Sequence, residues 1–159
     1  MKGVIIVNGY FMNEATTYQA ERLVSEFNKL GVEISVIKSN EIITSIKDGN
    51  ACVNHKLLDG TSFIIYLNKD RYQAELLQSA GYNLFNSYEA IVNCDDKMLT
   101  FVKLAGQGVN MPYTISSPIM YSENDDKEFL DSVESSLGYP IIVKNVYGSM
   151  GRTVYNSFN

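Results

Sequence analysis

Lys144 and Arg152 bracket a loop that carries glycines at 148 and 151: Asn145-Val146-Tyr147-Gly148-Ser149-Met150-Gly151. Glycine takes positive φ without steric cost, so such a loop can turn its backbone N–H groups toward one point. A nest of donors between two cations suits a phosphate. An ordinary hairpin turn uses the same residue types, and the loop by itself fits either reading. Ile141-Ile142-Val143 before it and Thr153-Val154-Tyr155 after it are β-formers, which makes it a glycine-tipped hairpin, a flap able to close over a ligand. A P-loop is excluded, because it needs Gly-Lys-Ser/Thr opening a helix. A dinucleotide fingerprint is excluded too, because it needs a third glycine and a helix.

The other chemistry-bearing residues are sparse. Lys97 follows Asn93-Cys94-Asp95-Asp96 at a helix start and reads, on its own, as a solvated first-turn lysine. Lys144 ends an apolar strand, where a lysine needs solvent or an anionic partner. His55 is the single histidine and reads as exposed or hydrogen-bonded. Cys52 and Cys94 lack metal-ligand spacing and read as reduced thiols. Glu123-Asn124-Asp125-Asp126 reads as an acidic loop and helix cap, not a metal site. The tyrosines are mixed with polar neighbours and form no stacking platform for bases.

Composition narrows the classes further. A chain of 159 residues that is 45% hydrophobic and 19% charged can bury a core, as one ordinary domain or two small ones. A formal net charge of -5 argues against non-specific binding to nucleic acid or to an anionic membrane. No apolar run reaches membrane-spanning length, and the first apolar run is too short for a signal peptide, so a cytoplasmic protein is expected.

The elements that must position these residues follow from periodicity. Val4–Val7 is a buried strand ending in Asn8-Gly9. Ala20, Leu23, Val24, Phe27 and Leu30 give one apolar face to a helix over 14–30, which Gly31 closes. A strand over 32–37 completes a βαβ start and predicts a parallel sheet with a right-handed crossover. Asp48-Gly49-Asn50 is a turn, with a short strand somewhere in 52–58, possible as a hairpin partner of its neighbour. Residues 62–67 form a buried strand, 70–80 a helix closed by Gly81, and 83–85 a brief strand. Asn86-Ser87 then caps a helix over 88–92. A further helix begins near Lys97, capped by Asn93 or Asp95. Residues 112–115 read as extended, 122–126 as a polar loop, and 127–137 as a helix closed by Gly138. The natural division falls near Asn93, giving domains 1–93 and 94–159.

Several of these segments, taken in order and register, resemble the ATP-grasp superfamily, most closely the RimK-like carboxylate–amine ligases. They are Asn86-Ser87, Asp96-Lys97, Ala105-Gly106-Gln107-Gly108-Val109-Asn110-Met111-Pro112, Leu137-Gly138-Tyr139-Pro140-Ile141-Ile142-Val143-Lys144 and Gly148-Ser149-Met150-Gly151-Arg152. The resemblance covers about 82–155 with good specificity. Over 1–81 it is looser and rests on the βαβ pattern.

The resemblance implies an α/β protein: a Rossmann-like pre-ATP-grasp domain with a parallel sheet, then part of the first α+β subdomain of an ATP-grasp fold. It implies that Lys97 and Lys144 reach ATP phosphates and that Gly148, Ser149, Met150, Gly151 and Arg152 cover them. The physical need is electrostatic, since triphosphate charge must be neutralised and water kept from the reactive phosphoryl group. It also implies ligation through an acyl phosphate with magnesium on the phosphate oxygens. The adenine hinge and the magnesium-binding acids are expected beyond Asn159, so these residues by themselves are expected to be inactive. Possible self-association stays open. The alternative is a non-catalytic module for small-molecule binding or dimerisation.

Overall fold

A computed structural model describes residues 1–119, 126–149 and 151–158. The chain divides into two units, Met1–Val92 and Asn93–Asn159. The first contains β1 (Lys2–Val7), α1 (Glu14–Lys29), β2 (Glu33–Lys38), β3 (Ile43–Lys47), β4 (Asn50–Asn54), β5 (Phe63–Tyr66), α2 (Arg71–Ser79) and β6 (Leu84–Phe85). It also holds most of α3 (Tyr88–Asp95), whose last turn runs into the second unit.

The expected parallel sheet is present, in the order β2-β1-β5-β6. Period-two alternation along β1 decides what covers each face. Val4 and Ile6 join Ile64, Tyr66, Ala74, Leu77 and Leu84 on the side of α2. Ile5 and Val7 meet Ala20, Leu23 and Val24 of α1 on the other side. Each fully buried aliphatic side chain of this kind stabilises the fold by about 1.5–3 kcal/mol. Gly3 faces the ring of Phe63, and a Cβ there would lie 2.3 Å from the ring edge. The missing side chain leaves room for Phe63 to tilt against Phe27, with centroids 5.3 Å apart.

α1 and α2 are each capped by the residue that precedes them. Asn13 Oδ1 accepts from the Thr16 N–H at 2.9 Å while Thr16 Oγ1 accepts from the Asn13 N–H at 3.0 Å, a reciprocal box. Asp70 accepts from the Tyr72 and Gln73 N–H groups at 3.0 and 3.1 Å. The stretch after β2 forms an antiparallel hairpin, β3–β4. Asp48 and Gly49 both take positive φ at its tip (51° and 77°), the pattern of a primed two-residue turn. The strand expected within 52–58 starts earlier and ends at Asn54, and Lys56–Leu58 forms a 3-10 turn instead. His55 caps that turn, accepting from the Leu57 N–H through Nδ1 at 3.3 Å.

Tyr66 is fully buried, and its hydroxyl lies 3.0 Å from the Asp70 carbonyl and 3.1 Å from Gln73 Oε1. Burial first, and the nearby Asp70 charge second, push its pKa well up. The folded state therefore holds this phenol neutral where the unfolded chain ionises it near pH ~10. Its contribution to stability is complete below that pH and falls as pH rises toward the folded value. Urea denaturation of wild type and Tyr66→Phe at pH 8 and pH 10.5 checks this. The variant is expected to lose about 1–2 kcal/mol at pH 8, and the gap is expected to narrow at the higher pH.

The second unit contains α4 (Lys97–Leu104), α5 (Lys127–Leu137), β7 (Ile141–Lys144) and β8 (Val154–Ser157). β7 and β8 pair antiparallel from Ile141↔Ser157 to Lys144↔Val154, which is the expected hairpin. The cap of α4 differs from expectation. Asp96 accepts from the Leu99 N–H at 2.8 Å, because α3 continues through Asn93 and Asp95. Gly138 ends α5 at φ 66°, as expected, but Asp126 makes no side-chain cap bond. Residues 109–119 have no regular secondary structure, so the extended segment expected over 112–115 is not a strand. Among the described residues no strand pairs with it, and β propensity without a ladder partner does not make a strand. The acidic loop expected over 122–126 lies largely outside the described residues.

Candidate functional site

The loop between β7 and β8 meets the start of α4. Lys97 is the first residue of that helix, so its backbone N–H has no partner within the helix. It donates instead to the Val146 carbonyl at 3.0 Å. The Lys97 ammonium donates to the Gly148 carbonyl at 2.8 Å and reaches the Val146 carbonyl at 3.4 Å. Lys97 and the glycine turn, assigned to one site from the sequence, are therefore brought together.

The sense of the turn differs from the sequence reading. Converging N–H groups were expected, whereas here two carbonyl oxygens converge on a cation. Gly148 sits at φ 124° and Gly151 at φ 70°, both reserved for glycine. The turn is braced by Asn145 Oδ1, which accepts from the Tyr147 N–H at 3.1 Å, and by the Asn145 N–H on the Thr153 carbonyl at 3.1 Å. Lys144 lies at the end of β7 and is exposed, so solvent can meet its charge need. Ser149 and Arg152 are exposed on the loop, where the Arg152 N–H donates to the Ser149 carbonyl at 3.4 Å. Met150, also assigned to the site, lies outside the described residues.

The first unit holds a second polar assembly, which the sequence reading missed. All four strands of its sheet are parallel, so their carboxyl ends share one edge, where Asn8, Ser39, Asn68 and Asn86 follow β1, β2, β5 and β6. Asn8 Nδ2 donates to Asn68 Oδ1 at 3.0 Å, and Asn8 Oδ1 accepts from the Tyr10 and Phe11 N–H groups at 2.8 Å each. Ser39 Oγ accepts from the Gly9 N–H at 3.0 Å, and Gln73 Nε2 donates to the Ser39 carbonyl at 2.9 Å. Ser39, Asn68 and Gln73 are the buried polar residues among those described. β1 has β2 on one side and β5 on the other, which makes this edge the switch point where open α/β sheets bind ligands. The signal was available: an asparagine directly or nearly follows three separate strands.

Among the described residues no three His, Cys, Asp or Glu side chains gather as a metal site. The described residues do not fit a magnesium ion. No described helix is long and apolar enough to cross a membrane.

No family model matches the chain. A RimK domain ATP-grasp protein from Sphaerobacter thermophilus superposes with a TM-score of 0.70 at 15% identity, over 100% of this chain and 55% of that one. The chain carries part of an ATP-grasp fold. D-alanine–D-alanine ligase from Bacillus anthracis carries the same fold, with a TM-score of 0.68, 19% identity, and 100% and 50% coverage. In sequence, the chain is 41% identical over 80 residues to beta-citrylglutamate synthase B of Danio rerio, covering 50% of this chain and 18% of that protein. It is 25% identical over 146 residues to the alpha-aminoadipate–LysW ligase LysX of Saccharolobus solfataricus, covering 89% of this chain and 48% of that one. The resemblance to RimK-like ATP-grasp ligases read from the sequence thus holds in both comparisons. The chain spans about half the length, or less, of the relatives it matches.

Proposed function

We propose that these residues belong to an ATP-dependent carboxylate–amine ligase, as its pre-ATP-grasp domain and the phosphate-gripping part of the next subdomain. The observation that carries this reading is the Lys97 ammonium on the Gly148 turn, at the mouth of a hairpin whose first strand ends in Lys144. Bound ATP would supply the activation, as a substrate carboxylate attacks the γ-phosphorus and an amine then displaces phosphate from the acyl phosphate. Lys97 and Lys144 would neutralise the triphosphate, and the turn over 148–152 would exclude water from it. Relatives with this fold or similar sequence join small carboxylates to amines, which supports the substrate class. The amide edge of the first unit, set at the sheet's switch point, is the place we assign to the substrate.

Calorimetry with ATP and magnesium, on the 159 residues and on a longer form that includes the remaining length of the relatives, tests this. Both are expected to bind nucleotide. Only the longer form is expected to release phosphate when given a carboxylate and an amine. Absence of nucleotide binding in both forms overturns the ligase reading and favours a non-catalytic binding module. Robust turnover by the 159 residues alone overturns the assignment of the missing functions to further chain.

A further inference from the structure

Lys97 does something in this structure that a waiting phosphate ligand need not do: it spends its charge on the protein's own backbone. Three donor contacts run from this one residue to two carbonyls of the turn, one from its main-chain N–H and two from its ammonium. We propose that Lys97 is a latch. Without an anion its ammonium ties the Val146–Gly148 turn to the first residue of α4, and a polyphosphate that captures the ammonium releases the turn. This rests on the proposed reading of Lys97 as a phosphate contact and adds the step by which the site opens to its ligand.

The exchange is favourable in direction. A hydrogen bond from an ammonium to an anionic oxygen is about twice as strong as one to a neutral acceptor. The start of α4 also favours negative charge over a neutral carbonyl. The released carbonyl is not stranded, because Gly148 is exposed and water can take its place. The hinge is local. Gly148 holds φ 124°, and a Cβ there would sit 2.7 Å from Thr153 Oγ1, so the latched turn is a conformation that only glycine keeps without strain. The Lys97 N–H on Val146 does not depend on the ammonium, so the turn stays tethered at one end when its other end lets go.

Amide hydrogen exchange of the full 159-residue chain, with and without tripolyphosphate, tests the latch in wild type and Lys97→Met. Removing the ammonium is expected to speed exchange over 146–149 at least tenfold without any anion, leaving β1 and β5 unchanged. Tripolyphosphate is expected to alter exchange over 146–149 in wild type and to do little in the variant. Selective ¹⁵N-lysine labelling gives a readout that needs no variant: a slowly exchanging Lys97 ammonium signal is expected in the free protein and is expected to shift on adding tripolyphosphate. Unchanged exchange in Lys97→Met overturns the latch whether or not nucleotide binds. Equal responses to tripolyphosphate in both proteins overturn the capture step and leave the phosphate reading of the loop standing. A loosened variant with no response of wild type to either tripolyphosphate or ATP overturns the release step together with the phosphate reading.

Discussion

Amide exchange across the 159 residues is expected to divide near Val92, with the slowest amides in β1 and β5 and exchange at least ~10³-fold faster in α5, β7 and β8. The cause is burial. Val4, Ile5, Ile6, Ile64, Tyr66, Ala74 and Leu77 have no solvent exposure. Among the described residues of Asn93–Asn159 none is buried: α4 and α5 keep none, and Ile142 and Val143 are more than half exposed in β7. A two-stranded ribbon without a covered face is marginal in water. A thousandfold ratio corresponds to roughly 4 kcal/mol, which is a small part of what one core contributes. Point substitutions should show the same asymmetry. Leu77→Ala removes a fully buried side chain beneath the sheet and is expected to cost about 2–5 kcal/mol. Val143→Ala is expected to change stability by less than about 1 kcal/mol. Comparable protection in both units, or a large effect at Val143, would contradict this account.

Lys144→Ala is expected to weaken ATP binding about 10- to 100-fold while leaving the unfolding transition in place. Lys144 ends β7 with its side chain in solvent, one residue before the loop begins. Its loss therefore creates no cavity, and surface substitutions of this kind stay within about 0.5 kcal/mol. A charge-assisted bond to a phosphate is worth about 1.5–3 kcal/mol, which sets the expected factor. Lys144→Arg keeps the charge and is expected to recover part of the affinity. Added salt should weaken wild type more than Lys144→Ala, because one screened attraction is already gone in the variant. Calorimetry at two ionic strengths separates these effects. An unchanged dissociation constant for Lys144→Ala would remove this lysine from the site.

Much of the fold was legible because its strongest periodicities are also its best-buried segments. The alternation of Val4, Ile5, Ile6 and Val7, the stripe of Ala20, Leu23 and Val24, and the Asp48-Gly49 turn each state their structure locally. The segment over 112–115 reads as a strand equally well on local grounds, yet strand formation depends on a neighbour that composition does not reveal. At the site, residue types pointed to the glycine turn, and the family resemblance added Lys97. Which way a peptide plane faces is set by tertiary contacts, so the carbonyls on Lys97 could not be read. The amide edge escaped for a related reason. Asn8, Asn68 and Asn86 are far apart in sequence, and only the strand order brings them to one side of the sheet.

The β3–β4 hairpin occupies the crossover between two parallel strands, where a helix is the usual connection. Its tip at Asp48 and Gly49 is exposed, and the hairpin is a two-stranded sheet of its own. A reporter dye or an affinity peptide grafted between those two residues would therefore travel with the first unit. That offers a handle for watching nucleotide engagement one molecule at a time.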